Sequence, residues 1–143
     1  MEKYMKKVKF ETIAEDFDFL ESWEDKYRYI IDLGKDLEFY PKELKNEDYR
    51  VIGCASQVWF YPKISEYNGK KLFTFKGDSD AMIVRGLIKL LSTIYNNKEV
   101  KEALTIDPYK QLELLNLKEH ISSQRSNGLN SMILKIKEFL LNN

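Results

Sequence analysis

Cys54 is the only cysteine and His120 the only histidine in this 143-residue chain, so its thiol and imidazole chemistry is confined to two positions. A lone cysteine forms no internal disulfide, and with a single histidine the chain has too few nitrogen and sulfur ligands for a four-ligand structural zinc site. Three uses remain for Cys54: a buried structural thiol, a nucleophile, or a carrier of a covalently attached group. Buried cysteine commonly serves as a small apolar side chain. The surrounding segment, Gly53-Cys54-Ala55-Ser56-Gln57-Val58-Trp59, weakens that first reading, because Gly53, Ala55 and Ser56 bring little mass to pack around a sulfur. Gly53 also permits backbone conformations that other residues resist. Arg50, four residues earlier, would favour the thiolate if the loop folded back toward it. Pairing Cys54 with His120 would suit a Cys-His hydrolase, which requires the imidazole within hydrogen-bond reach of the thiol and a third group to orient it. Sequence distance neither forbids nor supports that pair.

Two further polar segments stand out. Gly77-Asp78-Ser79-Asp80 precedes a strongly helical pattern and offers cap oxygens and negative charge for the positive end of a helix. The segment 120–128 places Arg125 in the first turn of another helix. A cation there opposes the helix dipole by roughly 0.3–1 kcal/mol, so Arg125 is expected to have a tertiary partner, the alternative being a solvated surface arginine.

The elements that must position these residues follow from hydrophobic period. Ile13, Phe17 and Leu20, then Trp23, Tyr27, Ile30 and Ile31, predict an amphipathic helical pair. Gly34 and Pro41 interrupt the pattern, leaving 35–47 as loop or a short helical turn. The segments 57–61, 64–67 and 71–76 are rich in β-branched and aromatic residues and predict three antiparallel strands, the last two joined by an Asn68-Gly69 type I′ turn. Ile83, Val84, Leu87, Ile88, Leu91, Ile94 and Tyr95 form the broad apolar face of a helix. Shorter helical pieces are predicted at 98–104 and 108–114. A terminal helix spans about 125–141, with Leu129, Met132, Ile133, Ile136 and Leu140 inward. The predicted architecture is α+β, a small three-stranded antiparallel sheet packed against several helices, in a single domain over 1–143.

Composition narrows the partners. Apolar residues make up 43% and charged residues 32%, the balance of a globular protein. With 23 basic and 23 acidic side chains the formal charge is zero, which argues against nucleic acid as the main partner. The first ten residues carry lysines but no apolar signal core, and no run approaches the length of a membrane span. A cytoplasmic location is expected, where an unpaired thiol stays reduced.

Taken in order, GCASQVW at 53–59, GDSDAMIVRGLIKLL at 77–91 and HISSQRSNGL at 120–129 resemble the SufE family of sulfur-acceptor proteins. The amino-terminal EDFDFLESWEDKYRYIIDLGKDL resembles the same family, although the Leu-Pro-rich segment often found after it is here only Glu38-Phe39-Tyr40-Pro41. The resemblance implies a SufE/NifU-like fold. It also implies that Cys54 accepts sulfane sulfur as a persulfide from a cysteine desulfurase and passes it to an iron-sulfur assembly scaffold. Gly53, Ser56 and Gln57 would shape the cysteine loop, Asp78 and Ser79 would hold it, and Arg125 would lie at or near the partner-facing site. The chain would be a persulfide carrier and desulfurase activator rather than a free-standing enzyme. It would bind no cofactor or metal, and pyridoxal phosphate would belong to the partner. A cluster scaffold is a weaker reading, since clusters are commonly held by several cysteines. Cys54 is expected to rest largely buried on a turn, with Asp78 or Ser79 near enough to fasten it.

Overall fold

A computed structural model of the chain describes residues 9–54 and 56–143; the lysine-bearing start and Ala55, one of the small neighbours of Cys54, lie outside the described residues. The predicted helical pair forms as α1 (Phe10–Phe19) and α2 (Trp23–Gly34). Ser22 caps α2 by accepting from the Asp25 N–H. Tyr29 of α2 donates to Asp16 of α1 at 2.5 Å, and Phe17 meets the Tyr29 ring edge-on, so the two helices are fastened by one polar and one aromatic contact. Short helical turns form at Lys42–Leu44, within the segment predicted as loop or a short helical turn, and at Glu47–Tyr49, where that segment ends.

The sheet is antiparallel and three-stranded, as expected, but its strands are drawn differently. β1 (Val58–Tyr67) runs without a break through Pro62 and pairs along its whole length with β2 (Lys70–Ser79). Proline does not end the strand because of its register. Pro62 faces Phe75, whose own N–H bonds to the Asn96 side chain at 2.9 Å on the opposite side. The missing proline N–H therefore costs no ladder bond, the position in which an edge strand tolerates proline. Asn68 and Gly69 both take positive φ, as a two-residue hairpin turn requires. The third strand is β3 (Lys98–Glu99), within the segment predicted as helix. Asn97, at φ 68°, turns the chain back onto β2 and donates to the Phe73 carbonyl. Two residues are too few to display a period.

The main helix, α3 (Met82–Tyr95), packs against β2 on one side and α2 on the other. The α2–α3 crossing is close because Gly34 and Gly86 meet there: a Cβ on Gly86 would sit 2.0 Å from the Ile30 carbonyl oxygen. Leu87, Ile88, Leu90, Leu91 and Ile94 fill the core with Phe60, Phe73 and Phe75 of the sheet. After α4 (Val100–Ala103) and α5 (Pro108–Glu113), a short turn at Leu117–Glu119 leads into α6 (Ser123–Leu141). Met132, Ile133, Ile136 and Leu140 are buried as expected, while Leu129 is half-buried.

The cap predicted at Asp78-Ser79-Asp80 does not form. β2 continues through Ser79, and α3 begins after Ala81 with no side-chain cap. Ser79 instead uses its hydroxyl to accept from the Ala81 N–H at 3.1 Å, forming a turn between strand and helix.

Candidate functional site

Cys54 sits on a six-residue loop, 52–57, closed at its base by strand-like pairing. The Val51 N–H donates to the Val58 carbonyl at 2.8 Å, and Arg50 bridges Trp59. Val51 and Val58 are both buried, so two apolar anchors fix the ends of the loop. Gly53 turns the chain at φ 99°, and a Cβ there would meet the Ser131 hydroxyl of α6 at 2.7 Å. The positive φ favours glycine at that position, and any side chain there would displace the Ser131 hydroxyl.

The loop lies against the first turns of α6 and, among the described residues, is held by hydrogen bonds to Arg125, Gly128 and Asp80. Ser122 caps the helix through the Arg125 N–H, and the Arg125 guanidinium donates to the Ser56 hydroxyl at 2.6 Å. This is the tertiary partner expected for Arg125. The Cys54 thiol donates to the Gly128 carbonyl at 3.7 Å. The Gln57 N–H donates to the Asp80 carboxylate at 3.1 Å, while the Asp80 N–H returns a bond to the Gln57 carbonyl.

Asp78 and Ser79, expected to hold the loop, are cross-strand partners of Trp59 and Val58 and so brace the strand that leaves it. The carboxylate that bonds to the loop itself is that of Asp80. Asp78 is buried and engaged elsewhere: its carboxylate lies 2.9 Å from Lys45 and 3.6 Å from Arg85, and accepts from the Ser79 N–H. Arg85 also donates to the Gly34 carbonyl.

The thiol is half-buried rather than fully enclosed. Cys54 forms part of the wall of a cavity of about 20 Å³, lined from α3 by Val84, Leu87 and Leu91 and from α6 by Gly128, Leu129 and Met132. Burial pushes the thiol pKa above its ordinary value, and the positive charge of Arg50 pulls against that shift without cancelling it. At rest the sulfur is therefore a protonated, weakly nucleophilic thiol.

His120 is not its partner. Its ring stacks on Trp23 of α2 at 4.0 Å between centroids, and the thiol bonds to a backbone carbonyl instead. The Cys-His arrangement of a hydrolase is not formed. Among the described residues, no three His, Cys, Asp or Glu side chains cluster to hold a metal ion.

Several contributors were not identified from sequence: Asp80 as the loop contact, Gly128 and Ser131 beneath the loop, and the apolar walls from α3. Gly128 carried the clearest signal. Glycine inside a helix costs roughly 1 kcal/mol relative to alanine, and here it stands three residues beyond Arg125, on the same helix face. A Cβ on Gly128 would sit 3.3 Å from the Cys54 sulfur, which explains why the position is empty.

Comparison with known proteins places this geometry in a family. The model of the SufE family, described as an Fe-S metabolism associated domain, matches residues 11–140. An uncharacterised SufE-like protein of Rhizobium etli is 43% identical over 128 residues, covering 90% of this chain and 86% of the relative. The sulfur acceptor protein CsdE of Escherichia coli is 40% identical, covering 87% of this chain and 83% of its own. The cysteine desulfuration protein SufE of Wigglesworthia glossinidia brevipalpis is 33% identical, covering 96% and 92%. A solution structure of a hypothetical protein from Thermus thermophilus superposes with a TM-score of 0.70 over 93% of both chains at 17% identity, a likeness of fold.

Proposed function

The chain belongs to the SufE family, and from that premise we propose that it is a sulfur acceptor in which Cys54 takes sulfane sulfur from a cysteine desulfurase. The observation that carries this reading is the placement of the chain's single thiol on a loop held by only a few contacts over an apolar cavity. The loop's geometry supports a thiol that is shielded at rest and presented on demand.

The reaction is thiol exchange. The Cys54 thiolate attacks the terminal sulfur of the desulfurase persulfide, a new S–S bond forms on Cys54, and the desulfurase thiolate leaves. One sulfane sulfur moves and no external oxidant is consumed, so the equilibrium stays near balance. The resting thiol is poorly prepared for attack, because burial disfavours its charged form. Drawing the loop outward removes that penalty and breaks the contacts to Arg125, Gly128 and Asp80. A typical net hydrogen bond contributes about 1 kcal/mol, and one to a charged group roughly 1.5–3 kcal/mol, a cost that docking can offset. Ile52, 74% exposed at the loop's edge, offers an apolar contact for that docking.

The sulfur then passes to an iron-sulfur assembly scaffold. This chain works in the cytoplasm as carrier and activator, away from membrane and nucleic acid and with no cofactor of its own, pyridoxal phosphate residing on the desulfurase. Incubation with a cysteine desulfurase and L-cysteine, followed by mass spectrometry, tests the assignment. An adduct one sulfur heavier is expected on Cys54 and is lost completely in a folded Cys54→Ser variant. Sulfur accepted equally well by that variant would remove Cys54 from the mechanism.

A further inference from the structure

We propose that the cleft between the edge of β1 and the last turns of α6 binds a free α-amino acid as its zwitterion, Arg50 and Lys135 taking the carboxylate and Asp48 and Glu138 the ammonium. The binding itself is independent of the sulfur-acceptor reading. β1 is an edge strand, and the cleft of about 270 Å³ beside it is lined by all four charged residues, with Phe60 and Phe139 among its apolar walls. It shares no lining residue with the cavity at Cys54.

Two observations point to a ligand of mixed charge. The first is Arg50, whose Nε is buried without a hydrogen-bond partner. Its only ion pair among the described residues is a 3.7 Å contact with Glu47, whose side chain is 85% exposed. A buried donor left unpaired costs about 1–3 kcal/mol. A carboxylate accepts two guanidinium N–H groups at once and removes that cost.

The second is the arrangement of charge. Neither Arg50 nor Lys135 forms an ion pair with Asp48 or Glu138, although all four line one cleft. Opposite charges thus share a cleft without cancelling each other directly. Lys135 and Glu138 stand three residues apart on α6, about 4.5 Å along its axis, with the acid nearer the carbonyl end. Asn142, the C-cap of that helix, also lines the cleft, and the partial negative charge of a helix C-terminus favours an ammonium. A plain anion would meet two carboxylates and a plain cation two bases. A zwitterion answers both, and the apolar walls suit a small aliphatic side chain.

Occupancy reaches the thiol through Arg50, the positive charge that favours the Cys54 thiolate. A carboxylate bound to the guanidinium offsets that charge. The site therefore couples the amino-acid level to the reactivity of Cys54, which falls when the cleft is filled.

L-alanine is the probe, with propionate and ethylamine supplying the same skeleton without the ammonium or without the carboxylate. Titration of each into the isotope-labelled protein at matched ionic strength is followed by NMR. L-alanine should give saturable amide shifts at Arg50, Val51 and Phe60 and at Glu138 and Phe139 of α6. Both half-ligands should bind at least about tenfold more weakly, the equivalent of one charge-assisted hydrogen bond. Glu138→Gln and Arg50→Lys should each weaken L-alanine by a similar factor, the second because lysine lacks the planar fork. Melting curves identify a variant that fails to fold, and the exposed Glu138 decides the matter if the Arg50 variant does. At saturation L-alanine should slow alkylation of Cys54 by iodoacetamide. No saturable shift at these residues, or propionate binding as tightly as L-alanine, would overturn the site; an alkylation rate indifferent to saturating L-alanine would overturn its coupling to Cys54.

Discussion

Asp78 and Asp80 stand two residues apart on one strand-to-helix corner, yet they do opposite work. Asp78 is 9% exposed and meets two cations, Lys45 from the loop after α2 and Arg85 from α3. It joins separate parts of the scaffold. Asp80 is exposed, and its carboxylate accepts one hydrogen bond, from the backbone of the cysteine loop. The difference teaches that burial, rather than residue type, separates a structural carboxylate from one that restrains a moving part. A buried acid whose partners are removed leaves uncompensated charge, whereas an exposed one is readily hydrated when its contact breaks.

Substituting each acid breaks the comparison or sharpens it. Asp78→Ala should lower the unfolding free energy by about 2–3 kcal/mol, less than the roughly 3–5 kcal/mol of a fully buried pair because Lys45 and Arg85 remain partly solvated. Urea denaturation reads the change. An equal loss from Asp80→Ala would erase the distinction between the two acids.

The next effects fall on the loop. Asp80→Ala should raise the rate of Cys54 alkylation by iodoacetamide in the free protein about three- to tenfold, the equivalent of about 1 kcal/mol of restraint, with little change in the urea midpoint. Arg125→Ala should act in the same direction by removing the bond to Ser56. If Ser56→Ala adds nothing further to the Arg125 variant, the two residues form a single latch; additive acceleration would separate their roles.

The smallest expected effect is on protonation. The alkylation rate of the free protein should rise with pH to a midpoint above that of ordinary cysteine, because burial favours the neutral thiol. Arg50→Ala should move that midpoint higher still, since the guanidinium favours the thiolate. A midpoint that falls in the variant would reverse the sign assigned to Arg50.

Much of the fold was legible because its signals are local. The apolar stripe of α3 and the Asn68-Gly69 turn each declare themselves within a few residues, as do the helical pair and α6. Pro62 misled because its cost depends on which way a missing N–H faces, a matter of register with Phe75. The strand at Lys98–Glu99 escaped because a two-residue pairing is decided by its partner, Leu72 and Phe73 of β2. The candidate site divided in the same way. Cys54 was identifiable as the only thiol, Gly53 as a turn residue, and Arg125 as a cation at the wrong end of a helix.

By itself, the sequence determined most of the element types, the α+β class, the uniqueness of Cys54 and the motif order that resembles the SufE family. Tertiary structure decided which carboxylate restrains the loop, that His120 stacks on Trp23 instead of pairing with the thiol, and that Gly128 leaves room beside the sulfur. The physical reason is that period, propensity and residue count act along the chain. Burial, hydrogen-bond choice and cavity volume arise only where segments far apart, 52–57, α3 and α6, are packed together.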